Sequence, residues 1–169
     1  MSKKNRAIAS GIMVFAHLDI PSTTDNKYGL TLLISKDDTE VIKRIEDAME
    51  FAKQKSIEKW GGKVPRNLRT PIHDGDEEKP DKSYFKNCLY LNAKSIDPPQ
   101  IVDKNVKPIE DRSKVYYGCY VNVSLVFYGY NFSGNKGIGV WLGNIQKVKD
   151  GPRIGNGRIS AADEFEVIE

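Results

Sequence analysis

The chain has 169 residues, 39% hydrophobic and 29% charged, which fits one globular domain with a real core. Its 26 Lys and Arg against 23 Asp and Glu give a net charge of +3 that says little about partners, but the distribution says more. The last eleven residues carry four acids and no base, leaving 26 basic against 19 acidic residues, or +7, in residues 1–158. No apolar run approaches the length of a membrane span. The basic start leads into a short mixed segment rather than a signal-peptide core, so a cytoplasmic protein is expected.

Residues 11–20 alternate, with Ile12, Val14, Ala16, Leu18 and Ile20 on one side, and predict a first strand. After Pro21 and a polar loop, Tyr28, Leu30, Leu32 and Ile34 repeat the pattern, predicting a hairpin partner. Ser35 with Asp38 three residues on supplies a helix start signal. Val41, Ile45, Ala48, Met49, Ala52 and Trp60 then recur at helical spacing until Gly61 and Gly62, so one amphipathic helix is expected over about residues 38–60.

Residues 63–86, rich in Pro, Gly and charge, read as a long loop. Residues 88–95 alternate again, with Tyr90, Asn92 and Lys94 on the outer face, and residues 100–102 add a short strand. Residues 115–132, taken as one extended segment, divide into two faces. Odd positions (Val115, Tyr117, Cys119, Val121, Val123, Leu125, Phe127) suit burial, while even ones carry Tyr116, Tyr120, Tyr128 and Tyr130 among small polar residues. On a straight strand Tyr116 and Tyr120 stand ~14 Å apart, a spacing that the bases of a stretched single strand could bridge. A half-exposed sheet using tyrosine for its β propensity is the plain alternative. A last strand over residues 138–148 is interrupted at Gly143 and Asn144, where a register change is expected, and Gly118 marks a similar bend. The architecture is mainly β, a small Greek-key barrel with one helix.

Basic residues are interleaved with the rings. Lys86 precedes Tyr90, Arg112 and Lys114 precede Tyr116, Lys136 precedes Trp141, and Lys147, Lys149, Arg153 and Arg158 follow it. Single-strand binders combine these two ingredients, charge to follow phosphates and π-faces to hold bases. The candidate DNA-binding set is Tyr90, Tyr116, Tyr120, Tyr128, Tyr130 and Trp141 with Lys86, Lys94, Arg112, Lys114 and Lys147. The helix bases Lys43, Arg44, Lys53, Lys55 and Lys59 read as a solvated face.

The string PIHDGDE, residues 71–77, offers His73, Asp74, Asp76 and Glu77, with Glu78 beyond, as hard ligands for a divalent cation and so for a metal-dependent nuclease. It lacks a second carboxylate site on a following strand. The competing reading is turn chemistry, with Asp74 and Asp76 bonding loop amides and pairing with Arg66 or Arg69. Phosphate-loop and dinucleotide glycine patterns are missing, and Cys88 and Cys119 have no metal or redox spacing, so neither a cofactor nor a metal is expected. The tail residues Asp163, Glu164, Phe165 and Glu166 suit either occupation of a basic groove or docking to another protein. A pure protein-protein adaptor is therefore a further alternative.

LTLLISK (30–36), PIHDGDE, PQIVD (99–103), VYYGCY (115–120), KGIG (136–139), LGNIQ (142–146) and the DEF of residues 163–165 occur in an order that resembles the single-stranded DNA-binding proteins of tailed bacteriophages, over nearly the whole chain. The resemblance implies an oligonucleotide-binding (OB) barrel in residues 1–158 and sequence-tolerant, non-catalytic binding of single strands in phage DNA replication, recombination or repair. It also implies an acidic tail, residues 159–169, that regulates binding and recruits replication proteins. Duplex binding and self-association stay open.

Overall fold

A computed structural model describes residues 5–155, 158–159, 161 and 165–168. β1 (Arg6–His17) pairs antiparallel with β2 (Tyr28–Ser35), giving the expected hairpin, but β1 starts five residues earlier than expected and ends three earlier. Its first half, where only Ala7 and Ala9 face inward, pairs with a different strand, and alanine gives too weak an alternation to mark that half. Phe15, at φ 50°, ends the regular pairing with a bulge between Val14 and His17.

α1 (Thr39–Lys55) is capped by Asp38, whose carboxylate accepts the Val41 N–H, so the cap is Asp38 and not Ser35. The expected single helix divides at Ser56. A 3-10 turn (Ile57–Trp60) follows and stops at Gly61 in the left-handed conformation. The division has a packing cause: the Ser56 side chain lies against the backbone of Gly129, which a side chain there would block.

The region expected as one long loop contains β3 (His73–Asp74) and a single helical turn α2 (Gly75–Glu78). β4 (Cys88–Ser95) pairs with β2 over its full length, and β5 (Ile101–Val102) is the short strand anticipated. The extended reading of residues 115–132 is corrected at its start. Arg112–Lys114 form a 3-10 turn, the chain bends at Gly118 (φ 109°), and β6 runs only over Tyr120–Phe132. From Cys119 to Phe127 the odd positions are fully buried, as alternation requires. β6 forms a hairpin with β7 (Asn135–Lys149), and the register change falls at Gly143 and Asn144: Val123 faces Ile145, while Leu125 faces Leu142. The Ser124 hydroxyl accepts the Asn144 N–H at 2.7 Å and satisfies the bulge.

Strand order β4-β2-β1-β6-β7 closes on itself where β7 runs parallel to β4 at Lys94 and Trp141. This is a closed five-stranded, OB-fold-like barrel, with β3 and β5 added outside the ring. Inside lie Ala9, Met13, Leu32, Leu91, Val121, Val123, Leu125 and Phe127, packed against Val41, Ile45, Ala48 and Ala52 of α1. A smaller cluster of Val14, Leu33, Phe85, Tyr90 and Ile154 forms a second core. Among the described residues no helix is long and apolar enough to cross a membrane.

Candidate nucleic-acid interface

The register of β6 and β7 places Tyr128 opposite Gly139 and Tyr130 opposite Gly137. Each ring lies across a position without a side chain: a Cβ at Gly139 would come within 2.5 Å of the Tyr128 ring, and one at Gly137 within 2.6 Å of the Tyr130 hydroxyl. Trp141, opposite Val126, stacks on Tyr128 with centroids 5.3 Å apart and planes 22° apart, and Tyr130 follows at 6.4 Å. Burial of Tyr128 raises its phenol pKa, which keeps the ring neutral. At the hairpin tip Phe132 is 75% exposed. Trp141, Tyr128, Tyr130 and Phe132 thus lie along one end of the β6–β7 ladder.

The hairpin is held from behind by the 3-10 turn after α1. Trp60 Nε1 donates to Tyr130 O at 2.8 Å, Lys59 Nζ to Gly129 O at 3.1 Å, and Asn131 Nδ2 to Lys59 O at 3.0 Å. These bonds fix the backbone under the rings, so their spacing is built in before any ligand arrives.

Basic groups approach the strip from several segments. Lys27, in the β1–β2 loop, sits 5.5 Å from the Trp141 ring centre. Lys94 is the backbone partner of Trp141 and forms an ion pair with Asp25, whose carboxyl it holds below the usual range. Arg69 bridges to Gly137 beside Lys136, through the bonds Arg69 N–H to Lys136 O and Ile138 N–H to Arg69 O. Lys27, Arg69 and Phe132 escaped sequence reasoning. The only available signal for them was proximity in a hairpin or a loop, and that depends on how the barrel closes.

The other predicted residues lie elsewhere. Tyr90 does not present a face: it is 6% exposed, packs edge-on against Phe85 at 5.0 Å and stacks with His73 at 4.9 Å. The cause is the segment read as a loop, which folds Tyr84 and Phe85 over the outer side of β2 and β4. Tyr116 precedes β6, so the straight-strand spacing to Tyr120 does not arise. Its hydroxyl donates to Gly151 O and accepts from Gly151 N–H, both at 3.0 Å, and burial raises its pKa. Lys147 and Arg153 lie 5.3 and 4.0 Å from its ring centre, and Lys149 lies 4.7 Å from that of Tyr120. Lys147 also pairs with Asp150, and Arg112 with Asp19 at 2.8 Å. Lys114 lines a mixed-charge cleft with Asp103, Asp111 and Lys147. Lys86 is exposed beside Asp76. Two aromatic and basic areas therefore occupy opposite ends of the β6–β7 ladder. In the tail, Asp163 and Glu164 lie outside the described residues, while Phe165 and Glu166 are exposed.

The PIHDGDE string is a clamp. Lys36 Nζ binds Asp74 at 2.8 Å and Asp76 at 2.7 Å, in place of the expected Arg66 or Arg69. Asp74 also accepts the Asp76 N–H at 2.9 Å, and Asp76 accepts the Asn87 N–H at 3.0 Å, which is the anticipated turn chemistry. Asp74 Oδ1 and both Asp76 carboxylate oxygens are thus engaged by an ammonium and by amides. His73 pairs with Glu78 at 3.1 Å.

Lys36 holds both carboxyls below their usual range, and they in turn raise the Lys36 ammonium. The carboxylates contribute above their ordinary pKa and lose that contribution as pH falls through the lowered values. The ammonium contributes below its ordinary pKa and loses that contribution as pH rises through the raised value. The clamp is intact between these limits. Lys36→Met should speed amide exchange in residues 73–87 several-fold while shifting the melting temperature little, because the charges are partly exposed. Exchange corrected for intrinsic pH dependence should show wild type converging on the variant below about pH 4. Equal exchange in both proteins at pH 7 would show that other contacts hold the loop.

Residues 7–169 match the family described as Enterobacter phage Enc34, ssDNA-binding protein. Protein p50 of Acyrthosiphon pisum secondary endosymbiont phage 1 is 33% identical over 150 residues, 83% of this chain and 78% of that protein. Two solved structures share the fold. The single-stranded DNA-binding protein of bacteriophage Enc34 in complex with ssDNA superposes with a TM-score of 0.78 at 24% identity, over 90% of this chain and 91% of that one. The single-stranded DNA-binding protein gp2.5 of bacteriophage T7 gives 0.65 at 16%, over 95% and 94%. With the family match spanning both the barrel and the tail, the chain belongs to the Enc34 family of phage single-stranded DNA-binding proteins.

Proposed function

We propose that the protein binds single-stranded DNA by laying bases on Trp141, Tyr128, Tyr130 and Phe132 while Lys27, Lys94, Arg69 and Lys136 neutralise the neighbouring phosphates. The observation that carries this reading is the ring strip itself, stacked, backed by glycine and fixed by the 3-10 turn. Stacking tolerates any base, which suits coating of strands during phage DNA replication, recombination or repair in the host cytoplasm. The area around Tyr116, Tyr120, Lys147, Lys149 and Arg153 extends the path for a longer strand, with Arg112 and Lys114 at its edge. Residues 1–158 act as the binding domain. The acidic tail, residues 159–169, competes with DNA for the cations and offers its exposed Phe165, Val167 and Ile168 to replication proteins.

The test is fluorescence anisotropy with a labelled dT oligonucleotide and the matching duplex across a salt series. The full chain is compared with a variant whose Asp163, Glu164, Glu166 and Glu169 are neutralised to amides. This variant keeps the pairing of Ile154 with Ile159, which truncation at residue 158 would cut. Preference for the single strand is expected. With four phosphates neutralised, log affinity should fall with log salt at a slope of about −3. The neutralised tail should bind several-fold tighter at low salt. No binding at low salt would overturn the reading, and an unchanged affinity on tail neutralisation would remove the tail from it.

A further inference from the structure

Asp25 stands in the β1–β2 loop, beside the ring strip. The loop is closed on itself: Ser22 N–H donates to Lys27 O at 2.9 Å and Asn26 N–H to Ser22 O at 2.8 Å, with Asn26 in the left-handed region at φ 58°. Asp25 Oδ1 accepts the Lys27 N–H at 3.0 Å, and Oδ2 takes the Lys94 ammonium. One carboxylate thus joins the two basic residues set against Trp141, Lys27 through its backbone and Lys94 through its charge. Among the described residues, Asp25 is the one acid lining the cleft there, which His17 and Tyr28 also line.

The two members of the pair are unequal. The Asp25 side chain is 25% exposed and that of Lys94 54%, so the acid is held by its loop while the lysine, on a flexible stem, is the member that can swing to a phosphate. Lys94 carries one unit of charge, and pairing with Asp25 leaves little net attraction for a phosphate until the carboxylate is displaced. The arrangement recurs at the far end of the β6–β7 ladder, where Lys147, 5.3 Å from the Tyr116 ring centre, is taken by Asp150. Resting on the single-strand reading above, we propose that Asp25 is a resident stand-in for a DNA phosphate: it keeps Lys94 extended beside Trp141 in the free protein, and the incoming strand must displace it. The loss is modest, because an exposed ion pair is weak, and amounts to at most about fivefold in affinity. Asp25 is therefore a positioning residue that also limits how tightly the ring strip holds its strand.

The experiment is a double-mutant cycle on the full chain, with a labelled dT oligonucleotide at low salt and anisotropy as the readout. Asparagine at position 25 keeps an acceptor for the Lys27 N–H and removes the charge. Asp25→Asn should bind about threefold tighter than wild type, since Lys94 no longer has to leave a carboxylate. In a Lys94→Met background the same change should gain much less, because no ammonium remains to be released. An equal gain with and without Lys94 would mean that Asp25 only repels the strand from a distance, and would overturn the proposal. No gain, or a loss, from Asp25→Asn would overturn it as well, since the pair would then serve only to hold the loop. Either result leaves single-strand binding standing. Failure of wild type to bind dT at all would overturn the binding reading together with this role.

Discussion

Replacing Trp141 and Tyr128 together by alanine should lower single-stranded DNA affinity by roughly thirtyfold or more, since each stacked base is worth ~1–3 kcal/mol. The barrel should survive. Both rings lie on the outer face and only half-buried, while the interior is filled by Leu125, Phe127, Leu142 and their neighbours. The rings act as a unit, because Tyr128 holds its orientation between Trp141 and Gly139. Each single variant should therefore lose more than half of the binding free energy that the double variant loses. Lys27→Ala should weaken the salt dependence and leave the stacking contribution in place. A folded double variant, verified by its melting curve, with wild-type affinity in the anisotropy titration would place the bases elsewhere on the barrel.

The contrast with Tyr116 is instructive. On a straight strand Tyr116 and Tyr120 make the obvious platform. In the folded protein, however, the Tyr116 hydroxyl is bonded to Gly151 and its ring lies beside two cations. Tyr116→Ala should thus act on stability as much as on DNA, by freeing the segment around Gly151.

The parts of the fold legible in the sequence were those set by local periodicity: the β1–β2 hairpin, the full extent of β4, the buried odd positions of β6, and the bulge at Gly143. Period-2 alternation reports one strand at a time. It placed Tyr128 and Tyr130 on the outer face, while Trp141 was a candidate only through its basic neighbours, and it could not show that Tyr128 and Trp141 stack, which follows from the β6–β7 register. Nor could it reveal that Phe85 covers Tyr90, a contact between a strand and a segment whose composition reads as loop. The KGIG string, legible only through the family resemblance, acquires a physical reason. Its two glycines are the positions over which the two tyrosines lie.

Gly118→Ala should cost more stability than any surface change considered above. The residue sits at φ 109°, a conformation side chains rarely adopt, and a Cβ there would lie 1.9 Å from the Pro152 carbonyl oxygen. Backbone strain alone costs of order 1–3 kcal/mol. Relief requires residues 151–154 to move away, which breaks the Ile154 N–H bond to Tyr117 O and withdraws buried Ile154 from the outer core, a further ~1.5–3 kcal/mol. Gly134, at the β6–β7 tip, separates the two contributions. It is also at positive φ (85°), but nothing lies within 4 Å of its Cβ position, so Gly134→Ala should cost only ~1–2 kcal/mol. At ~2–4 °C per kcal/mol for a chain of this size, the melting temperature should fall by roughly 5–24 °C for Gly118→Ala and ~2–8 °C for Gly134→Ala, with the Gly118 drop the larger in any one buffer. Equal shifts would mean that the 151–154 segment follows the bend without strain and that its packing on the outer core contributes little. A large shift confined to Gly118→Ala would establish that this bend, which takes Tyr116 off the β6 face, is held by the segment packed against it.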